Sequence, residues 1–347
     1  MTKRIKLVTN LLALLALPFA AQAQDIHFSQ FYETSILRNP ALTGVFTGDY
    51  KVGATFRSQW NSIGKPFQTG MVNAETRFAL NDRVNDYLSV GLMAFYDKAG
   101  SIDMQTVTVT PAVNYNKSLE DAHNSFLSVG FMAGITQRSF DPSKVTVDED
   151  YMNGGSRGAG ENFGNSKFAN MDLGAGISFS SSSSADSRTQ LTYYLGISGY
   201  HFTQPKNSFY NNQIINLAMR LSAQAGFSVK LNDNYNLQGH LNVVKQGDYN
   251  EVIGGGLLGW SGQEAIDGEY KFMLFMGAFY RYNDAVIPTV KIKYNSYSFG
   301  VSYDMNVSGL RAASNLRGGY EVTAFKTGLF KDPKFQKSKV LCPHSFW

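Results

Sequence analysis

The chain of 347 residues is poor in charge and rich in aromatic side chains, which make up 17% and 14% of it. An average soluble domain has about 25% charged residues, yet the mean hydropathy is slightly negative, which argues against a protein that is apolar throughout. The single cysteine, Cys342, excludes an internal disulfide framework. This composition is typical of a β-barrel with apolar side chains on one face only.

Residues 1–23 have the organisation of a secretory signal peptide. Three basic residues precede an apolar stretch, 7–19, and Ala21-Gln22-Ala23 forms a small-x-small cleavage site. We expect cleavage after Ala23, not a membrane anchor, because a spanning helix needs about 20 apolar residues. Without the leader, 28 basic residues face 27 acidic ones, so the formal net charge of +4 is no evidence for nucleic-acid binding.

Residues 24–49 form a separate N-terminal segment. It is too apolar for a free periplasmic tail, and Asn39-Pro40 indicates a turn. We expect this segment to plug or underlie the lumen of a barrel, with a short amphipathic periplasmic segment as the alternative. Its apolar side chains are Ile26, Phe28, Phe31, Tyr32, Ile36 and Leu37.

Apolar and polar residues alternate with a period of two through residues 50–326. In 297–306, for example, Tyr297, Phe299 and Val301 alternate with polar or small residues, as in a two-faced strand. Most of the segments exceed the five or six residues of soluble strands and approach the roughly 9–11 of tilted membrane strands. We therefore predict an all-β fold, a transmembrane antiparallel β-barrel of about 14 strands of the outer-membrane type. The predicted strands are 50–57, 69–78, 87–97, 104–115, 124–137, 168–180, 189–199, 213–229, 235–244, 249–260, 269–281, 286–294, 297–306 and 319–326.

The lengths of the connections predict the orientation of the barrel. Every second connection is short and rich in Asn, Asp, Ser or Gly, whereas the other set includes the longest loop, 138–167. Outer-membrane barrels have short periplasmic turns and longer extracellular loops. We therefore expect the loop 138–167 outside the cell and the tail 327–347 in the periplasm.

Motifs for catalysis or cofactor binding are weak. The glycines of 254–259 match GxGxxG but lie inside a predicted strand, whereas a dinucleotide site needs a strand before them and a helix after them. Asp148-Glu149-Asp150 and Asn153 could bind calcium, although their spacing misses the EF-hand pattern. The five histidines are scattered. We expect no enzyme activity and no cofactor.

Two sets of residues are candidates for function. Charged residues on the face assigned to the lumen could line a channel or docking cavity, or pair with one another. These are Arg220, Lys230, Lys291, Lys293, Asp304 and Glu321. Aromatic residues in the outer loops could anchor a protein partner, or belong to the aromatic girdle of the membrane rim. These are Trp60, Phe67, Phe163, Phe209 and Tyr210.

Several local sequences resemble the PorP/SprF family, outer-membrane proteins associated with type IX secretion. The resemblance starts at 25–32 and continues with Asn39-Pro40-Ala41-Leu42-Thr43-Gly44 and Phe56-Arg57-Ser58-Gln59-Trp60. Towards the C-terminus it includes 281–285, 300–306, 318–321 and Cys342-Pro343. The terminus extends a few residues beyond the usual end of the family.

The resemblance implies a non-enzymatic barrel that helps to export or hold large adhesin-like cargo, including gliding adhesins, at the cell surface. It implies as partners the C-terminal sorting domain of the cargo and a periplasmic peptidoglycan-binding lipoprotein, besides the outer-membrane lipids. The alternative is a passive porin or a channel for hydrophobic compounds, since an Asn-Pro-Ala element near the N-terminus also occurs in fatty-acid transporters.

Overall fold

The protein forms a closed antiparallel barrel of fourteen strands. The computed structural model describes residues 25–61, 64–80, 85–120, 123–145, 164–183, 190–210, 215–262, 271–309 and 314–330. Each strand pairs with its neighbours in the sequence, and β14 pairs with β1. Closure satisfies the backbone hydrogen bonds of every strand without leaving an edge, as a membrane-spanning sheet requires. The predicted fold and strand number are confirmed.

The strands are ten to seventeen residues long. They are β1 Tyr50–Gln59, β2 Phe67–Ala79, β3 Tyr87–Ala99, β4 Met104–Glu120, β5 Ser125–Ser139, β6 Lys167–Ser182, β7 Gln190–Tyr200, β8 Arg220–Lys230, β9 Tyr235–Gln246, β10 Tyr249–Trp260, β11 Phe272–Arg281, β12 Ala285–Tyr294, β13 Tyr297–Asn306 and β14 Arg317–Gly328.

The two faces of the wall differ as the sequence pattern predicts. In β13, Phe299 and Val301 are exposed on the outside, whereas Ser302 and Asp304 are buried on the inside. The same alternation in the other strands gives the barrel an apolar exterior and a largely polar interior, which is the arrangement of outer-membrane barrels.

The largest difference between the predicted and the observed strand boundaries is at β8. The expected strand 213–229 begins at Arg220, because the preceding chain doubles back on itself. Lys206 bridges Asn216, and Leu217 N–H donates to Pro205 O at 2.9 Å. Alternation continues through this excursion, but Leu217 is buried instead of facing outward.

The two ends of the barrel differ in their connections. The turn end is where β1 starts and β14 finishes, and the loop end is where β1 finishes and the connection between β5 and β6 lies. The predicted signal peptide, the acidic residues 148–153, Phe163 and the chain after residue 330 lie outside the described residues. Within the described ranges, no helix is both long and apolar enough to cross a membrane.

Candidate functional site

The lumen is occupied by residues 25–49, called the plug segment below. Near the loop end, Asp25 N–H donates to Gln246 at the end of β9. Near the turn end, Asp49 N–H donates to the carbonyl of Gly328, the last residue of β14. Between these points the segment forms three short helical turns, Phe31–Glu33, Ser35–Arg38 and Pro40–Leu42. The plug segment therefore crosses the lumen lengthwise.

A network of acids and arginines holds the start of the plug segment. The Glu321 carboxylate accepts hydrogen bonds from the backbone N–H groups of Ser29 at 2.7 Å and Gln30 at 2.8 Å. Arg57 donates to Asp304 at 2.8 Å and to Ser29 Oγ at 2.9 Å. Backbone donors of the plug segment thus bind a carboxylate of the wall, and the wall's own charges are paired around them.

Arg281 completes this network from β11. Its guanidinium lies 3.1 Å from Asp304 Oδ2 and 2.9 Å from Asp284 Oδ2, and it also donates to Ser29 Oγ at 2.9 Å. A buried arginine is stable when its fixed N–H groups meet acceptors in this way. Four strands, β1, β11, β13 and β14, are therefore tied to one serine of the plug segment.

A second charge cluster lies deeper in the lumen. Glu33 is 2.6 Å from Lys291 Nζ and 3.7 Å from Lys51 Nζ, and all three side chains are almost completely buried. Ser35 and Glu75 form a further hydrogen bond between the plug segment and β2. In this cluster Glu33 belongs to the plug segment, whereas Glu75 and the two lysines belong to the wall. The charges of the plug segment and of the wall are therefore each unbalanced without the other.

Two large apolar clusters add to this packing. Phe31 and Tyr32 contact the inner faces of β10, β11 and β12, and the Tyr32 ring stacks on Phe279 at 5.1 Å and on His240 at 5.0 Å. Phe28 and Ile36 pack against β2, β3 and β4 in the other cluster. The plug segment therefore covers apolar patches of the inner wall that would otherwise face the lumen.

The Asn39-Pro40-Ala41 turn sits in a depression made by glycines of the wall. An added methyl group would meet the backbone of Pro40 at 2.3 Å if placed on Gly130, and Asn39 Oδ1 at 2.0 Å if placed on Gly176. The Asn39 amide donates to Gln224 at 3.0 Å and to the carbonyl oxygens of two wall residues, Ile177 and Ile197. The turn therefore contacts the strand backbones themselves, which only glycine permits at these positions.

His201, directly after β7, anchors Asp25 at the start of the plug segment. Its Nε2 lies 2.6 Å from Asp25, and its Nδ1 lies 2.8 Å from Asp172 of β6. Burial alone lowers the pKa of His201, but hydrogen bonds to Asp172 and Asp25 and their negative charges outweigh it and raise the pKa to about 9. Conversely, burial works against the charged form of Asp25, yet His201 and Arg220 hold its pKa well below its usual value.

The structure distributes the predicted lumenal charges over three environments. Lys291, Asp304 and Glu321 contact the plug segment as described above, and Arg220 lies 3.6 Å from Asp25. Lys230 instead pairs with Asp233 at 2.9 Å in the turn that follows β8. Lys293 is half-buried towards the turn end.

Several residues that hold the plug segment were not predicted from the sequence. Period-two alternation in β1 would have placed Lys51 and Arg57 on the lumenal face, and the same signal in β2 and β11 would have found Glu75 and Arg281. Nothing in the local sequence marked Glu33 as an acid that enters the barrel.

The predicted partner-facing aromatics differ in exposure. Tyr210 is 72% exposed. Trp60 and Phe67 are half-buried against each other, with ring centroids 4.8 Å apart. Phe209 is half-buried between Phe140 at 4.8 Å and Phe168 at 4.9 Å, so only part of its ring is available to a partner. In the described part of the chain, no group of His, Cys, Asp or Glu is arranged to hold a metal ion.

Comparison with known families assigns the chain. The model of the family described as "Type IX secretion system membrane protein PorP/SprF" matches residues 20–324. The chain belongs to this family. The match includes the plug segment and nearly the whole barrel, so the PorP/SprF assignment applies to both. The match supports an outer-membrane location and a role in type IX secretion. The family consists of secretion-system membrane proteins and is not a class of enzymes.

Solved structures resemble this PorP/SprF protein in fold only. The toluene transporter TbuX of Ralstonia pickettii is 11% identical, with a TM-score of 0.46 over 84% of this chain and 91% of its own. The monoaromatic hydrocarbon channel CymD is 9% identical, with a TM-score of 0.48 over 86% and 94%. A FadL homologue of Pseudomonas aeruginosa is 9% identical, with a TM-score of 0.44 over 83% and 92%. No curated protein matches the sequence.

Proposed function

We propose that this barrel is a protein-docking component of the type IX secretion system, not an open pore. It helps to export or anchor large adhesin-like cargo, including cargo for gliding, by binding the C-terminal sorting domain of that cargo. The observation that carries the proposal is the plug segment, which occupies the lumen through buried ion pairs and apolar contacts. A lumen closed in this way suits a barrel that holds partners at its ends.

The size of the barrel supports the same function. Fourteen strands enclose a lumen between those of filled eight-stranded barrels and sixteen-stranded porins. A folded adhesin is wider than such a lumen, so any export must use a separate and larger conduit. The barrel would then receive or hold the cargo beside that conduit.

The docking surface that we propose is the loop end, facing the cell exterior. Tyr210 is 72% exposed there and Tyr282 is 64% exposed, and exposed aromatic rings are common anchors in protein interfaces. The turn end would face the periplasm together with the C-terminal tail 327–347. That end is where we place the periplasmic peptidoglycan-binding lipoprotein.

Gene deletion combined with conductance tests the proposal. We expect the deletion to remove one or a few proteins from the cell surface without changing small-solute uptake, and the purified barrel to conduct few ions in planar bilayers. Copurification of the crosslinked native complex should recover cargo through its C-terminal domain. Free ion conduction together with an unchanged set of surface proteins would contradict docking and support the channel alternative.

A further inference from the structure

The plug segment leaves a cavity of about 120 Å³ between itself and strands β3–β8, near the loop end. A cavity of this order can hold a six-membered ring, since an engineered cavity of about 150 Å³ binds benzene. The space is bounded by the segment on one side and by the inner wall on the other. It is separate from the proposed docking surface.

One side of this cavity is apolar although it lies in a largely polar lumen. Its walls come from the plug segment, from the inner faces of β3 and β5, and from the excursion before β8. The apolar lining residues are Ile26, Leu37, Met93, Phe95, Met132 and Leu217. Inward-facing apolar side chains beside an open space favour an occupant with an apolar body over water alone.

The lining residues also include a donor and an acceptor that have no hydrogen-bond partner among the described residues. Arg138 Nε and Asp172 Oδ1 are buried and have no hydrogen-bond partner. Among the described residues Arg138 makes no ion pair, and its Nη1 donates to Asn207 Oδ1 at 2.8 Å. Buried polar atoms are normally satisfied, so each of these two atoms is available to a polar group of a ligand.

The charged residues around the cavity indicate the net charge of a ligand that would fit it. Asp25, Asp97 and Asp172 line it together with Arg138, Arg220 and His201. His201 is protonated at neutral pH, because its two carboxylate neighbours raise its pKa to about 9 despite burial. Three negative groups therefore face three positive ones, and a charged ligand would disturb this balance.

We propose that the cavity binds a small uncharged amphiphile, with a compact apolar body of about six to eight non-hydrogen atoms and one hydroxyl end. The body contacts Met93, Met132 and the residues around them. The hydroxyl accepts a hydrogen bond from Arg138 Nε. A phenol has this size and these groups.

The test uses the full mature protein in lipid nanodiscs, with 4-fluorophenol as the probe and its fluorine resonance as the readout. Met132→Phe fills the cavity, and Met171→Phe makes the same change on the lipid-facing side of the neighbouring strand, where Met171 is 65% exposed. We expect saturable binding to the wild type and to Met171→Phe, weakened at least tenfold by Met132→Phe. Binding that is non-saturable, or equal in all three proteins, would show lipid partitioning only and overturn the proposal.

Two further variants separate the body of the ligand from its polar end. Arg138→Met should weaken 4-fluorophenol about fivefold or more while leaving fluorobenzene binding unchanged, and equal losses for both would contradict the role of Arg138. Leu217 lies in a connection and not in a strand. The variant Leu217→Phe therefore repeats the cavity-filling test if Met132→Phe fails to fold. Heat-modifiable gel mobility reports folding for every variant.

Discussion

Glu33 Oε1 accepts a hydrogen bond from Lys291 Nζ at 2.6 Å, although 258 residues separate them in the sequence. Lys51 Nζ lies 3.7 Å from the other oxygen of the same carboxylate. One acid of the plug segment thus links β1 and β12 from inside the barrel. Because buried charges are stable only when paired, this carboxylate ties the closure of the lumen to the stability of the wall.

Glu33→Gln should be strongly destabilising. The change keeps the shape of the side chain but leaves two buried ammonium groups without their shared carboxylate, which typically costs about 3–5 kcal/mol. The free energy of unfolding in urea measures the loss. Lys293→Met, on the same strand as Lys291 but half-buried, should cost less than about 1 kcal/mol. Equal losses in both variants would contradict the assignment.

Gly130→Ala and Gly176→Ala should each disturb the plug segment. A methyl group on Gly130 meets the backbone of Pro40 and one on Gly176 meets the Asn39 side chain, so the segment must shift at a cost of roughly 1–3 kcal/mol. Gly70→Ala in β2 is the matched control, since nothing lies within 4 Å of its added methyl group. Protease sensitivity of the N-terminal residues and ion conductance should rise in the first two variants only.

Asn39→Asp tests the amide donor separately from the space it occupies. The variant keeps the oxygen that caps Ala41 N–H at 2.8 Å but replaces the amide that donates to the carbonyl oxygens of Ile177 and Ile197. A buried carboxylate that faces carbonyl oxygens should cost more than the roughly 1–3 kcal/mol of an unsatisfied neutral group. Asn39→Ala should weaken the fold in the same direction, and a neutral result for Asn39→Asp would show that shape alone matters.

The anchor at His201 should depend on pH. Its pKa in the folded protein, about 9, is above the ordinary value of about 6.5. The stabilisation is therefore complete below about pH 6.5 and is lost as the pH rises through 9. With one pKa unit worth about 1.4 kcal/mol, stability should fall by on the order of 3 kcal/mol across this window.

Comparison of wild type with His201→Gln isolates this effect. Unfolding free energies measured from pH 6 to pH 10 should converge for the two proteins at the alkaline end. His123→Gln, at a half-exposed site outside the strands, should follow the wild type throughout. A constant difference between wild type and His201→Gln would mean that His201 acts by packing and not by charge.

The aromatic side chains of the loop end should separate into docking and structural roles. Tyr210→Ala removes a 72% exposed ring and should reduce cargo retained at the surface without changing stability. Phe209→Ala removes a ring packed on Phe140 and Phe168 and should cost about 1–3 kcal/mol. Mass spectrometry of surface proteins, together with the free energy of unfolding, distinguishes the docking role from the structural role. An unaltered amount of surface cargo with Tyr210→Ala would show that Tyr210 is not part of the docking surface.

The wall of the barrel could be predicted from the sequence because its rule is local. The period-two alternation shows which side chains face the lipid, and the fourteen strands can be located from it. The same rule misplaced the start of β8, because alternation also runs through the excursion in which Leu217 turns inward. Local periodicity cannot tell a spanning strand from a chain that doubles back.

The contacts of the lumen could not be predicted in this way. The composition of residues 24–49 indicated an apolar segment that must be buried, but many of its partners lie on strands hundreds of residues away. Glu321, for example, accepts from Ser29 across 292 positions. Such pairs have no signature in one sequence, since either charge alone reads as an ordinary lumenal residue.

The lengthwise course of the plug segment has a kinetic consequence. Its contacts reach from residues 25–49 to the last strands of the barrel, so they join chain ends that are synthesised furthest apart. Folding slows as the mean sequence separation of contacts rises, because long loops must close before such contacts form. The wall and its contents therefore acquire their final arrangement together and late, once the C-terminal strands have arrived.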